Sequence, residues 1–264
     1  MKVKLSPTGL PEWSVTCQDV CFLCFTFRSH VVEDLDLAQL AQYLHVTPAQ
    51  VEKMAVRGRV PGRRVGGTWR FNQAEIHHWL EAQIGATDDS VELDRVRKVV
   101  DRMTDDVQER SITELCSVET IEIPLRARTR SSVIRSMCDL VATSGMMWDA
   151  PAMAEAVRSR EQMHPTALDC GVALMHPRRP QTSILADNVL GLAVSQAPIP
   201  FSDAGHMVDV FFLICSYDDA SHLRTLAKLS RLIAVESLLQ RLRECESPGQ
   251  AWACLHEAEA LLSA

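Results

Sequence analysis

Arg160-Glu161-Gln162-Met163-His164-Pro165-Thr166-Ala167-Leu168-Asp169-Cys170-Gly171-Val172-Ala173-Leu174-Met175-His176 decides the fold. A helical segment, Pro151–Arg160, runs into it. It ends in the apolar run Val172–Met175, and an imidazole follows at once. A short continuous apolar run of this kind suits a strand buried on both faces. An imidazole at the end of such a strand can attack a phosphoryl group with one ring nitrogen. The other nitrogen must then be held by a hydrogen bond that selects the tautomer.

Outward from this stretch, strand-like and helix-like segments alternate. Ile121–Leu125, Val189–Val194 and Val208–Ile214 read as strands. Ser131–Ala142 reads as a helix, and three closing helices are expected over Ala220–Leu232, Val235–Arg243 and Gly249–Leu262. The alternation predicts an α/β domain from residue 111 to 264, with a sheet covered by helices on both faces.

A chain of 264 residues is comfortable for two domains, each large enough to close its own core. Hydrophobic residues make up 47% and charged residues 23%, and no apolar run approaches the roughly 18 residues needed to span a membrane. A soluble, cytoplasmic protein without membrane insertion is expected. The nine cysteines are an odd number scattered through helix and strand segments, which fits a reducing compartment better than a disulfide framework. Cys17, Cys21 and Cys24 have a C-x3-C-x2-C spacing, but the large barrel that iron–sulfur chemistry of that type requires does not follow. His30 or a remote cysteine would have to supply a fourth zinc ligand. No metal and no cofactor are expected, and residues 1–33 are assigned no domain.

The net charge of −7 hides an asymmetry. Lys53–Arg70 carries six bases and no acid, leaving −13 for the rest of the chain. A basic cluster within an acidic protein points to one anionic partner met by one small surface. Around it, Leu35, Leu37, Leu40, Ala41 and Leu44 fall at helical spacing, and Thr47-Pro48 caps and opens a second helix to Val56. Two short runs, Arg63–Val65 and Thr68–Phe71, suit a β-hairpin between glycines, and Asn72 caps a helix carrying Ile76, Trp79 and Leu80. Residues 34–86 thus read as a winged helix-turn-helix. Asp36–Leu80 resembles the excisionase-like branch of the MerR-type DNA-binding fold, most specifically through Arg57-Gly58-Arg59-Val60-Pro61-Gly62 and Val65-Gly66-Gly67-Thr68-Trp69-Arg70-Phe71. That resemblance implies DNA contacts by Gln50, Lys53, Arg57, Arg59, Arg63, Arg64 and Arg70. Residues 87–110 read as a helical linker, whose apolar stripe from Val91 to Val107 also suits a homodimer seam.

The Arg160–His176 stretch resembles the signature of phosphotransferase-system IIA proteins of the mannitol/fructose and nitrogen-regulatory type. The likeness extends to Pro200-Phe201, Val208–Ile214 and Ser221-His222-Leu223-Arg224-Thr225-Leu226-Ala227-Lys228-Leu229. It implies a IIA-type mixed β-sheet flanked by helices, with His176 as phosphoacceptor and Arg160 and His222 around the same phosphoryl group in one surface site. A guanidinium and a second imidazole would stabilise the transferring oxygens. Three positions depart from the pattern: Met175 stands for the usual proline, Cys170 for asparagine, and Pro177 for glycine.

The two resemblances together imply a nitrogen-regulatory IIA-like regulator. It would be phosphorylated by phospho-HPr or a nitrogen-branch HPr-like donor and coupled to DNA binding. The alternatives are a phosphorylation-independent protein that docks kinase or transporter targets, and a sugar-specific IIA transfer component.

Overall fold

The computed structural model describes residues 34–80 and 110–263, apart from 45, 74, 77, 203, 204 and 236. The unassigned leader with its three cysteines, and the helical stripe Val91–Val107, lie outside the described residues.

In the N-terminal part, β1 (Asp34–Leu35) precedes α1 (Leu37–Tyr43) and α2 (Pro48–Val56), followed by β2 (Arg63–Val65), β3 (Thr68–Asn72) and a third helix, α3, in the described residues of 73–80. Both first helices start on reciprocal caps, each contributing about 1 kcal/mol. The Asp36 carboxylate accepts the Gln39 N–H at 2.8 Å while Gln39 Oε1 accepts the Asp36 N–H at 2.8 Å. Thr47 and Gln50 repeat the exchange. Leu40, Leu44, Val51, Phe71, Ile76 and Leu80 are buried. Leu35 departs from the helix its spacing suggests. It pairs with Phe71 as β1 joins an antiparallel sheet of order β1-β3-β2, because Asp36 sets the helix start one residue later. Asn72 caps as expected, its Oδ1 accepting the Glu75 N–H at 3.2 Å.

The C-terminal part runs α4 (Ile112–Leu115), a 3-10 turn (Val118–Thr120), β4 (Ile121–Leu125), α5 (Arg130–Ala142), α6 (Ala150–Met163), β5 (Val172–Met175), β6 (Val189–Pro200), β7 (Met207–Cys215), α7 (Asp219–Ile233), α8 (Leu238–Glu244) and α9 (Pro248–Ser263). The sheet order is β4-β6-β7-β5. Its outer pairs are parallel and its central β6–β7 pair antiparallel, so it is a mixed sheet. One face packs Ala173, Met175, Ala193, Phe211 and Leu213 against α5 and α6. The other packs Val172, Leu174, Leu192, Val210 and Phe212 against α7, α8 and α9. Burial on both faces explains why β5 shows no polar alternation. At Gly191 a Cβ would come within 2.7 Å of Val141, so the close seat of α5 on β6 requires glycine there.

β6 extends beyond the expected end at Val194. Its register shifts between Val194 and Ile199, after which Ile199 and Pro200 pair with Val208 and Met207. The exposed Gln196, Ala197 and Pro198 hide this extension from an apolar pattern. The short helix α4 has no periodicity of its own to read. Glu259 of α9 caps it from across the domain, accepting the Ile112 N–H at 2.5 Å and the Thr113 N–H at 3.3 Å.

Candidate functional site

β5 delivers His176. Alternation places Leu174 on the face that packs against α7, and His176, one residue past the strand, continues toward that helix. His222 lies in the first turn of α7. Its ring sits against that of His176 with centroids 4.7 Å apart and planes tilted by 52°. His176 Nδ1 lies 2.8 Å from the Leu174 carbonyl oxygen. A carbonyl only accepts, so Nδ1 carries the proton and Nε2 presents the in-plane lone pair, the form a nucleophile needs.

Arg160, in the last turn of α6, donates from its guanidinium to the His164 carbonyl at 2.6 Å. Its neighbour Glu161 is 1% exposed and accepts both the Thr166 N–H, at 3.0 Å, and the Thr166 hydroxyl. Burial pushes the Glu161 carboxyl above its usual range. The Thr166 donors pull it back down, followed by His176 whenever its ring is protonated and by the permanent charge of Arg160. Arg160 and His176 therefore share one electrostatic neighbourhood with Glu161.

A hydrogen-bond path joins them. The Thr166 carbonyl accepts the Leu174 N–H at 3.3 Å, and the Leu174 carbonyl accepts from His176. The carboxylate that anchors Thr166 thus lies at one end of a path whose other end sets the imidazole tautomer. The sequence stretch contains this acid directly beside Arg160. Its role was not legible, because the connection to His176 runs through backbone atoms.

The site lies beneath the surface. Arg160, His176 and His222 are 6%, 2% and 4% exposed. Pro177, Arg178 and Pro180 line a small cleft with Ser216 and His222, so the Pro177 departure sits beside His222. Cys170 is exposed and its carbonyl accepts from Arg243 at 2.8 Å, while Met175 is fully buried. At the start of α7, the Ser221 N–H is taken by the Asp218 carboxylate at 2.8 Å and the His222 N–H by the Asp218 carbonyl at 3.0 Å. Those two groups are committed to the cap.

Residues 114–258 match the family described as the phosphoenolpyruvate-dependent sugar phosphotransferase system, EIIA 2. The chain belongs to this family. A second model, described as a helix-turn-helix domain, matches residues 35–84. The fructose-specific EIIABC component of the phosphotransferase system of Bacillus subtilis (strain 168) is 27% identical over 139 residues, 52% of this chain and 21% of that protein. This EIIA chain thus aligns with about a fifth of that relative. A nitrogen regulatory protein of Bradyrhizobium diazoefficiens is 28% identical over 137 residues, 50% of this chain and 86% of that one. The crystal structure of a PTS IIA domain from Streptococcus pyogenes M1 GAS superposes with a TM-score of 0.50 at 19% identity, over 57% of this chain and 97% of that chain. That likeness shows a shared fold.

The helix-turn-helix part of this EIIA protein presents its bases in two groups. Lys53, Arg57 and Arg59 are exposed on α2 and the turn after it. Gln50 is exposed too, but its Oε1 is occupied by the Thr47 cap at 2.9 Å. On the hairpin, Arg63 faces Arg70 across the strands and Arg64 faces Trp69. Arg64 lies 5.1 Å over the Trp69 ring. Arg63 pairs with Asp34 of β1 at 2.7 Å, which offsets part of the repulsion between two directly opposed arginines.

Other histidines have local roles. His206 lies 2.7 Å from the Ser202 hydroxyl and 3.2 Å from Asp169, and His256 stacks on Trp252 at 5.3 Å. Among the described residues, no helix is long and apolar enough to cross a membrane.

Proposed function

We propose that this protein accepts a phosphoryl group on His176 Nε2 from a phospho-HPr-type donor and acts as a nitrogen-regulatory IIA-like regulator coupled to DNA binding. One observation carries the reading: the His176 Nδ1 bond to Leu174 with the tilted His222 ring against it. In the transfer the donor's P–N bond breaks as the P–Nε2 bond forms. The proton stays on Nδ1, and the Leu174 carbonyl offsets the positive charge the ring acquires. Arg160 and His222 stabilise the phosphoryl oxygens, which is where most of the catalytic work of such a transfer lies. The division of labour follows the chain: residues 34–86 read DNA, 87–110 connect, and 111–264 carry the phosphate. Lys53, Arg57, Arg59, Arg63, Arg64 and Arg70 supply the anion-binding surface, with Gln50 alongside.

The burial of His176, Nε2 included, favours a second reading, in which the IIA-like domain docks a kinase or transporter without turnover, because a donor has to reach a nitrogen that lies beneath the surface. A sugar-transfer role is the third, on the likeness to the fructose component. Incubating the full chain with enzyme I, HPr and phosphoenolpyruvate distinguishes them. Acid-labile, base-stable phosphate on His176 supports the acceptor role, and its absence under full HPr phosphorylation leaves the docking reading. Transfer onward to a sugar-specific IIB protein would favour the third.

A further inference from the structure

We propose that Cys245 and Cys254 form a peroxide-oxidisable dithiol that closes into an intramolecular disulfide joining the end of α8 to α9. Their sulfurs lie 3.8 Å apart, and a bond requires them to close by somewhat less than about 2 Å, within reach of side-chain rotation. Cys245 follows directly on α8 and is half-buried, whereas Cys254 is 9% exposed within α9. The Arg241–Glu257 ion pair already clamps these helices together next to the pair. Among the other described cysteines, Cys116, Cys138 and Cys215 are buried and Cys170 is exposed.

The chemistry balances with hydrogen peroxide as oxidant. The Cys245 thiolate attacks one peroxide oxygen, breaking the O–O bond and leaving a sulfenic acid and water. The Cys254 thiolate then attacks the sulfenic sulfur and expels hydroxide as the second water. Two thiols are oxidised by two electrons, the peroxide is reduced, and both thiol protons end in water.

The surroundings set the tempo. Cys245 donates to the Arg241 carbonyl at 3.2 Å. Burial, followed by the hydrogen bond and charge of Cys254, pushes its thiol up to about 11, with Glu244 adding to the rise and Arg241 opposing it. Little thiolate exists at neutral pH, so closure is slow. A thiol of high pKa is also a poor leaving group, so the disulfide resists exchange once made. The device is a durable staple rather than a fast sensor. It fastens the helix whose Arg243 holds Asp209 and the Cys170 carbonyl, and therefore the turn that opens β5.

The sequence makes the test direct, because no lysine or arginine lies between Glu244 and Ala264 and both cysteines fall in one tryptic peptide. The full chain is treated with hydrogen peroxide at mildly alkaline pH, alkylated and digested without reduction. The expected product is that peptide about 2 Da lighter and carrying no alkyl group, reversed by dithiothreitol. In the C254S variant, Cys245 should stop at a sulfenic acid that dimedone captures. The proposal is overturned if the wild-type peptide still takes two alkyl groups once Cys170 is oxidised. It is also overturned if the peptide gains oxygen without losing mass as a disulfide, or links to a different peptide.

Discussion

The His176 Nδ1 proton is held by the Leu174 carbonyl, so the tautomer that the proposed acceptor role needs is set by a backbone carbonyl rather than by a neighbouring acid. His176→Ala should abolish phosphorylation. His222→Ala and Arg160→Ala should retain transfer slowed by about 10²- to 10³-fold, since each removes a charge-stabilising contact and not the bond-forming atom. Intact-chain mass spectrometry checks this, and full labelling of the His176 variant would move the nucleophile elsewhere. Glu161 adds a pH signature. Its folded pKa is raised, so the stability it contributes is fully present below its unfolded pKa and is lost as pH rises through the folded value. Denaturant midpoints from pH 4 to 7 should therefore show wild type losing ground to Glu161→Gln as pH rises. A gap that stays constant would mean that the carboxylate is not held in an unfavourable ionised state.

At the scale of elements, the turn into β5 is where geometry constrains the site most tightly. Gly171 has a φ of 85°, and a Cβ there would lie 2.8 Å from the Arg243 guanidinium. Gly171→Ala should cost about 1–2 kcal/mol from the left-handed backbone alone, read as a lower urea midpoint. A loss of the Arg243 clamp should deepen it. On the far side of His176, Pro177 stiffens the segment lining the cleft to His222. Pro177→Gly should speed phosphorylation by a free phospho-HPr donor while leaving the His176 tautomer bond intact. An unchanged rate would show that the segment after His176 does not limit access.

For the whole molecule, the expectation is that a phosphoryl group on His176, adding about two negative charges, alters how residues 34–86 bind DNA. Coupling of roughly 1–3 kcal/mol would change DNA affinity about 5- to 150-fold at fixed salt. The check is titration of a selected DNA fragment with unphosphorylated and fully phosphorylated chain. Identical curves at several salt concentrations would refute the coupling. If the wing meets phosphates, replacing Arg64 with alanine should also lower the salt slope by about one unit, with little change in sequence preference. Absence of DNA binding in any state would favour protein docking.

Local chemistry made much of this protein readable in one dimension. The caps at Thr47 and Asn72, the hairpin glycines, and the uninterrupted apolar β5 are decided by neighbours a few residues apart, where spacing and turn chemistry suffice. The α/β alternation and the Arg160–His176 stretch likewise stand in the sequence, and with them the candidate imidazoles. Features that depend on distant partners were not legible. β1 needs Phe71 to be a strand, the Ile112 and Thr113 N–H groups of α4 find Glu259 only through the tertiary fold, and β6 runs on past Val194 only because β7 pairs with it. The burial of the two imidazoles, the path from Glu161 through Thr166 and Leu174 to His176, and the contact between Cys245 and Cys254 belong to the same class. Each joins atoms that only packing and backbone hydrogen bonding bring together, and side-chain pattern carries no trace of a bond made by a carbonyl.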